Sequence, residues 1–213
     1  MLYPLSLKLS GRTVAVVGAG VVALRKVETL LPCEARVRLV APEAVPELRA
    51  LAEQGALTWR ARRFDPADLE GCTLVIAATE DEEVNRRVVD EAHRRGLLVN
   101  VVDVPELCDF YVPSVLRRGP LAVAVSSGGG SPAFSARLRR ELDQQLHPSL
   151  AAYLELLAEA RAEIRRRIPD DSRRRMVLSA ALLDCEAREL VEAGDLASAR
   201  VALWRVIDAG TSG

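Results

Sequence analysis

Apolar residues fall into two regimes along the 213 residues of the chain. Up to about Asn100 they come as short runs rich in Val, Leu and Ile, at residues 14–17, 37–40, 74–77 and 97–102. These runs are too short for helices and lack polar alternation, which is the pattern of strands buried on both faces of a parallel sheet. Residues 57–64 add a further short strand. Between the runs the period changes to that of helices, at 23–31, 46–54 and 82–95. The last of these aligns Val84, Val88, Val89 and Ala92 on one face and stops at Gly96. Repeated strand–helix units predict right-handed crossovers and a doubly wound sheet.

Beyond Asn100 the pattern breaks. Asp103-Val104-Pro105-Glu106 reads as a turn, and residues 111–116 and 121–126 read as strands joined by the turn Arg117-Arg118-Gly119-Pro120. After the loop Ser126-Ser127-Gly128-Gly129-Gly130-Ser131-Pro132 only the helical period remains. Ser131 is an N-cap with Pro132 at the first helical position, and this helix runs to about Leu146. A second helix has Leu150, Tyr153, Leu154, Leu157, Ile164 and Ile168 on its apolar face. Helices at 176–183 and 196–207 complete the tail, with Gly194 closing one and Asp195 capping the next. The expected organisation is an α/β Rossmann-type domain over residues 1–113, a linking segment over 114–148 and a helical domain over 149–213.

Composition narrows the function classes. A mean hydropathy of +0.09, with no long apolar run, gives no membrane span. The net charge of −1, from 29 Lys and Arg against 30 Asp and Glu, argues against nucleic-acid binding by bulk electrostatics. No basic segment followed by an apolar one opens the chain, so a cytoplasmic setting is expected. Cys33, Cys72, Cys108 and Cys185 form no C-x-x-C pair, which leaves neither a disulfide framework nor a zinc site, and no metal ligands are assigned. Lys8 and Lys26 are the only lysines; the arginine bias fits genomic base composition or guanidinium clamps for a polycarboxylate, and composition does not separate the two. The runs Arg165-Arg166-Arg167 and Arg173-Arg174-Arg175, and His93 among arginines, read as solvated helix faces. His147 reads as a cap or interface residue.

Candidate chemistry starts at the end of the first strand. Gly18-Ala19-Gly20-Val21-Val22-Ala23 is a G-x-G-x-x-A turn set between a strand and a helix, as a dinucleotide pyrophosphate requires. Gly18 permits the tight turn, Gly20 the close approach of backbone to phosphate, and Ala23 the packing of helix on strand. The helix N-terminus offers N–H donors and the positive dipole end. Pro42 and Glu43 end the second strand, with Glu43 near the spacing of about 20 residues at which an acid binds a ribose hydroxyl. Read bare, Glu43 is also the first polar residue of a loop. No arginine follows this strand, which favours NAD over NADP. Ala78 and Thr79 end the fourth strand, small enough to let a nucleotide lie across the sheet. Asp103, in the turn after the last strand, suits a general base beside the nicotinamide, although an Asp before Val-Pro is also a common turn-former. The loop 126–131 fits an anion-binding nest or a flexible connector equally well.

Together these pieces resemble one family. Tyr3-Pro4-Leu5, Gly18-Ala19-Gly20 with Ala23, Arg25-Lys26, Ala77-Ala78-Thr79, Asn85 and Asn100-Val101-Val102-Asp103 carry the resemblance. So do Cys108-Asp109-Phe110 with Pro113-Ser114, and Ser126-Ser127-Gly128-Gly129 with Ser131-Pro132. The sequence is similar to the precorrin-2 dehydrogenase/sirohydrochlorin ferrochelatase family, the N-terminal module of sirohaem synthases, over roughly residues 1–150. The resemblance implies a homodimeric enzyme that passes a hydride from the tetrapyrrole precorrin-2 to NAD, giving sirohydrochlorin. In bifunctional relatives ferrous iron is then inserted to give sirohaem. It further implies Asp103 as general base, and Val21, Val22, Pro42 and Glu43 at the NAD site. Asn100, Ser126, Ser127, Gly128 and Gly129 are implied at the tetrapyrrole, with Ser127 matching a serine phosphorylated in some relatives. Val21 stands where some relatives carry an acid, and Glu34 where a glycine precedes the second strand. With its end near residue 213 the chain is expected to act without a fused methyltransferase domain. The alternative function is a non-catalytic NAD sensor signalling through its helical tail.

Overall fold

The computed structural model describes residues 2–211, and the chain separates into two units at the Val112–Pro113 bond. In the first, the strands are β1 (Thr13–Val17), β2 (Arg36–Val40), β3 (Thr58–Arg60), β4 (Cys72–Ala77) and β5 (Leu98–Val101). They pair in parallel in the order β3-β2-β1-β4-β5. Successive side chains of β1 enter two different cores. Val14 and Val16 pack with Ala23 and Val27 of helix α1 (Val21–Leu30) and Leu48 of α2 (Pro46–Glu53). Ala15 and Val17 pack with Val88, Val89 and Ala92 of α3 (Glu82–Arg94). Both faces are covered, which is why the strand carries no polar alternation. Full burial of such a Val or Leu contributes about 1.5–3 kcal/mol.

Helix ends follow local chemistry. Asp81 caps α3 by accepting the Val84 N–H at 3.1 Å, and Gly96 takes the left-handed conformation (φ 66°) just past its end. Helix α1 starts at Val21, two residues before the expected start, because Gly20 itself is the N-cap. The strand expected over 57–64 shortens to β3, since Arg60 and Arg62 turn toward Asp68.

The second unit opens with an antiparallel hairpin of β6 (Ser114–Arg118) and β7 (Leu121–Val125), followed by α4 (Pro132–Gln145), which contacts both strands. Strand β6 starts three residues later than its expected position at Tyr111, because the chain before it is bonded to β5 through Asp109 N–H to Val99 O at 2.8 Å. Four helices complete the unit: α5 (Leu150–Arg167), α6 (Asp171–Leu182), α7 (Cys185–Glu192) and α8 (Leu196–Thr211). The buried stripe of α5 is Tyr153, Leu156, Ala160 and Ile164, so the expected Leu154 and Leu157 lie on its flank, only partly covered. Helix α6 begins at Asp171, capped by Asp170, and α7 had no counterpart among the expected elements. The stretches expected as a separate linker and helical domain lie within this one unit.

Candidate active site

Gly18 is held from two sides. Its N–H donates to Val40 O at 2.9 Å, while the Ala78 N–H donates to Val17 O at 2.7 Å, so the turn is threaded between the ends of β2 and β4. Its φ is 101°, and a Cβ built there would lie 2.2 Å from the Ala78 carbonyl oxygen. Only glycine fits. Gly20 is the opposite case, with an ordinary φ of −83° and nothing within 4 Å of a built Cβ. Among the described residues no side chain caps α1, which leaves its first-turn N–H donors open beside that space. An uncapped helix end over a cleft kept clear of side chains fits a pyrophosphate.

The other expected nucleotide contacts gather at the same end of the sheet. Ala19 is buried, and its carbonyl accepts the Val45 N–H at 3.0 Å, tying the turn to the segment that carries Pro42 and Glu43. Pro42 and Glu43 are exposed, as are Val21 and Val22. Ala78 and Thr79 follow β4, where the Thr79 hydroxyl accepts the Asp81 N–H at 3.1 Å. Asn85 sits beneath them, 5% exposed. Its amide donates to Thr79 O at 2.9 Å, and its Oδ1 is buried with no partner among the described residues. Sequence reasoning placed Asn85 in the family pattern but gave it no role; the available signal was an amide on the otherwise apolar stripe of α3.

Asp103 follows β5 in the left-handed region, with φ 60°. An aspartate tolerates this at a cost of about 1–3 kcal/mol, a strain that concentrates at functional sites. Residues 108–110 hold the turn in place. The Cys108 thiol lies 3.1 Å from Val101 O and 3.3 Å from Val104 O, and Sγ accepts the Val101 N–H at 3.2 Å. The Asp109 carboxylate accepts the Val99 N–H at 3.0 Å and faces His93 Nε2 at 3.2 Å. His93 is therefore half-exposed and paired, where a solvated residue was expected. The Asp103 carboxylate itself is exposed. Burial pushes the Cys108 thiol up, so it is a packing group and not a nucleophile. Burial lowers the half-buried Lys26 ammonium of α1, against the opposing pull of Asp103 and Cys108.

Two expectations need correction. Asn100 was assigned to the substrate, but its side chain is buried, with its amide donating to Phe110 O at 2.9 Å. It holds the loop behind Asp103. The loop 126–131 is not a ready anion nest. Its Gly128 N–H goes to Ser126 Oγ, Gly130 N–H to Ser127 O and Ser131 N–H to Ser127 Oγ. Ser126, Ser127, Gly128 and Gly129 are exposed in the second unit, with Gly128 and Gly129 at φ 64° and 87°. His147 bonds Ser149 Oγ at 2.6 Å, a local cap. The arginine runs are partly paired, through Glu163 with Arg166 and Arg167 and through Asp171 with Arg174. Among the described residues no group of three His, Cys, Asp or Glu could hold a metal ion, and no helix is long and apolar enough to cross a membrane.

A parallel sheet with a Gly-x-Gly turn opening onto an uncapped helix defines a dinucleotide-binding protein. Residues 5–114 match the NAD(P)-binding family model, and the chain belongs to this family. Residues 118–145 match the family model for the central part of sirohaem biosynthesis proteins. A sirohaem synthase from Thioalkalivibrio sulfidiphilus is 39% identical over 208 residues, which is 98% of this chain and 42% of that protein. Sirohaem synthase 1 from Cronobacter sakazakii is 48% identical over 153 residues, 72% of this chain and 32% of that protein. The chain thus spans less than half the length of these curated relatives. The solved structure of SirC, a precorrin-2 dehydrogenase, matches with a TM-score of 0.78 at 26% identity, covering 97% of this chain and 100% of that one.

Proposed function

We propose that the chain is an NAD-dependent precorrin-2 dehydrogenase of sirohaem biosynthesis. The observation that carries this reading is the pairing, at one end of one sheet, of the Gly18–Gly20 cradle with an exposed, strained Asp103 held from behind by Cys108 and Asp109. Bound NAD supplies the hydride acceptor. Removing two electrons from the tetrapyrrole releases one hydride and one proton, and the Asp103 carboxylate takes the proton. Asn85 and Thr79 shape the floor on which the dinucleotide lies. The exposed hydroxyls of Ser126 and Ser127 are suited to the carboxylates at the rim of the macrocycle. The relatives named as sirohaem synthases and the likeness to SirC support the same substrate. The hairpin β6–β7 has only two strands, both with an open edge, which supports a homodimer that completes it. Among the described residues the four cysteines form no disulfide, and a cytoplasmic setting is part of the proposal.

The test is an anaerobic absorbance assay with freshly made precorrin-2 and NAD. The expected result is an NAD-dependent conversion to the sirohydrochlorin spectrum, lost in Asp103→Asn while NAD binding persists. Wild-type turnover in that variant would remove Asp103 from the chemistry. Absence of any conversion by protein that binds NAD would favour a sensor. Adding ferrous iron to the same reaction tests whether the chain also accelerates metal insertion.

A further inference from the structure

The sheet end that carries the dinucleotide turn also carries an arginine pair that the sequence does not place there. The end of β2 carries Glu43 and no arginine, yet β3 runs alongside it, with Val40 opposite Arg60 and the Ala41 N–H donating to Arg60 O at 3.3 Å. Arg60 and the following Arg62 therefore stand at the same sheet end as Glu43, where an arginine is the residue that accommodates a 2′-phosphate. Both are already engaged. Asp68 Oδ1 accepts from Arg60 Nη1 and, at 2.7 Å, from Arg62 Nη2. Asp68 Oδ2 accepts from Arg62 Nη1 at 2.8 Å and from the Asp65 N–H at 2.8 Å. The two arginine side chains are 36% and 47% exposed, but the Asp68 side chain between them is fully buried, at 0%.

Asp68 cannot follow the arginines outward. It lies in the short helical turn Pro66–Leu69, whose Leu69 is 1% exposed in the core beside Val88. Arg38 fixes the same turn from below, donating to Asp68 O at 2.6 Å and Glu70 O at 2.8 Å. Either arginine would have to give up its bonds to a buried carboxylate to reach a ligand, and both leaving together would strip it of its cationic partners, which is costly. Glu43, exposed at the end of β2, would accept from a free 2′-hydroxyl placed there and repel a phosphate.

We propose that Asp68 makes this site select NAD over NADP, by holding Arg60 and Arg62 in a buried ion pair that keeps them from a 2′-phosphate. The inference rests on the dinucleotide site alone and is independent of the tetrapyrrole. It is tested by calorimetric titration of the whole chain with NAD and with NADP. Wild type is expected to bind NAD more tightly. In Asp68→Asn the ratio of the two dissociation constants should move toward NADP by about tenfold or more, the range of a charge-assisted hydrogen bond. Adding Arg60→Gln and Arg62→Gln together to that variant should cancel the gain. The single variants Arg60→Gln and Arg62→Gln should leave the ratio within about twofold of wild type, and Asp68→Ser, expected to give the same shift toward NADP, carries the test if Asp68→Asn does not fold. A folded Asp68→Asn with an unchanged ratio overturns the proposal. So does a selective loss of NADP binding in either single arginine variant, since those arginines would then already serve the phosphate.

Discussion

Gly18→Ala and Gly20→Ala change the same turn by one methyl each and should fail in different ways. At Gly18 the new Cβ would lie 2.2 Å from Ala78 O at a φ of 101°. Ordinary van der Waals contact begins about 1 Å farther out, so β1 and β4 must separate locally at a point where both strands are buried. The backbone conformation costs about 1–3 kcal/mol and the overpacking a similar amount, giving about 2–6 kcal/mol in all. In a unit of this size that lowers the melting temperature by about 10 °C or more. At Gly20 the φ of −83° suits alanine and the methyl meets nothing within 4 Å. The weaker N-cap and the stiffer unfolded chain offset one another, so stability should stay within about 0.5 kcal/mol. The methyl nevertheless fills the approach of the pyrophosphate, and NAD affinity should fall by about tenfold or more. Thermal melts by circular dichroism and calorimetric NAD titrations separate the two effects. A Gly18→Ala protein melting with wild type, or a Gly20→Ala protein binding NAD normally, would refute this assignment of roles.

The clamp behind Asp103 is tested by Asp109→Ala, which removes the acceptor of the Val99 N–H and the partner of His93. It should destabilise the first unit by about 1–3 kcal/mol and lower turnover while NAD affinity is kept, as equilibrium melts, assays and titrations would show. Glu34 sits in the left-handed region at φ 56°, its backbone bonded to Gly11 and Leu31 and its side chain accepting an exposed bond from Ser10. Glu34→Gly should therefore raise stability by about 0.5–1 kcal/mol, and a lower melting temperature would show that the Ser10 contact outweighs the strain. Burial pushes the Asp68 carboxyl up, but hydrogen bonds from Arg62, the Asp65 N–H and Arg60 outweigh it and hold it below the usual range. Glu91 is held at about 2, from an ordinary 4.5, by Arg94 and Arg95. Both folded values lie below the unfolded ones, so the stabilisation is full above the ordinary carboxylate range and lost as pH falls below it, for Glu91 through about 2; acid titration of Asp68→Asn should show a flatter acid limb than wild type.

The fold was legible where one physical cause dominates a stretch of chain. Every residue of β1 after Thr13 is buried, so the strand could only be a continuous apolar run, and the Gly18 turn had to follow it. Legibility fails where the decisive partner is distant in sequence. Nothing near Arg60 or Arg62 announces that Asp68 will draw them off the sheet and cut β3 to three residues. Helix α7 was missed for a different reason. It has eight residues and buries only Ala187 and Val191, too few positions to express a helical period. At the site the pattern of residue types indicated the neighbourhood but not the roles. Asn100 reads as a substrate residue only through the family resemblance, and Asp103 as a candidate base from its place in the turn. The structure turns the first inward onto Phe110 and leaves the second exposed.

That division follows from where each residue stands relative to the strand. Asn100 lies within β5, whose last three residues are all buried, and an amide there must find a partner or lose about 1–3 kcal/mol. The chain supplies one by folding residues 108–110 back along β5, and the same segment brings Cys108 under Val101 and Val104 and Asp109 beside Val99. With the backbone fixed on both sides of it, Asp103 has little freedom to relax from its left-handed conformation. The strain at Asp103 is therefore maintained by residues whose side chains bond the backbone around it. Substitutions at Asn100, Cys108 and Asp109 should act on turnover through the geometry of this turn, whereas only at Asp103 should the loss follow the chemistry of the side chain.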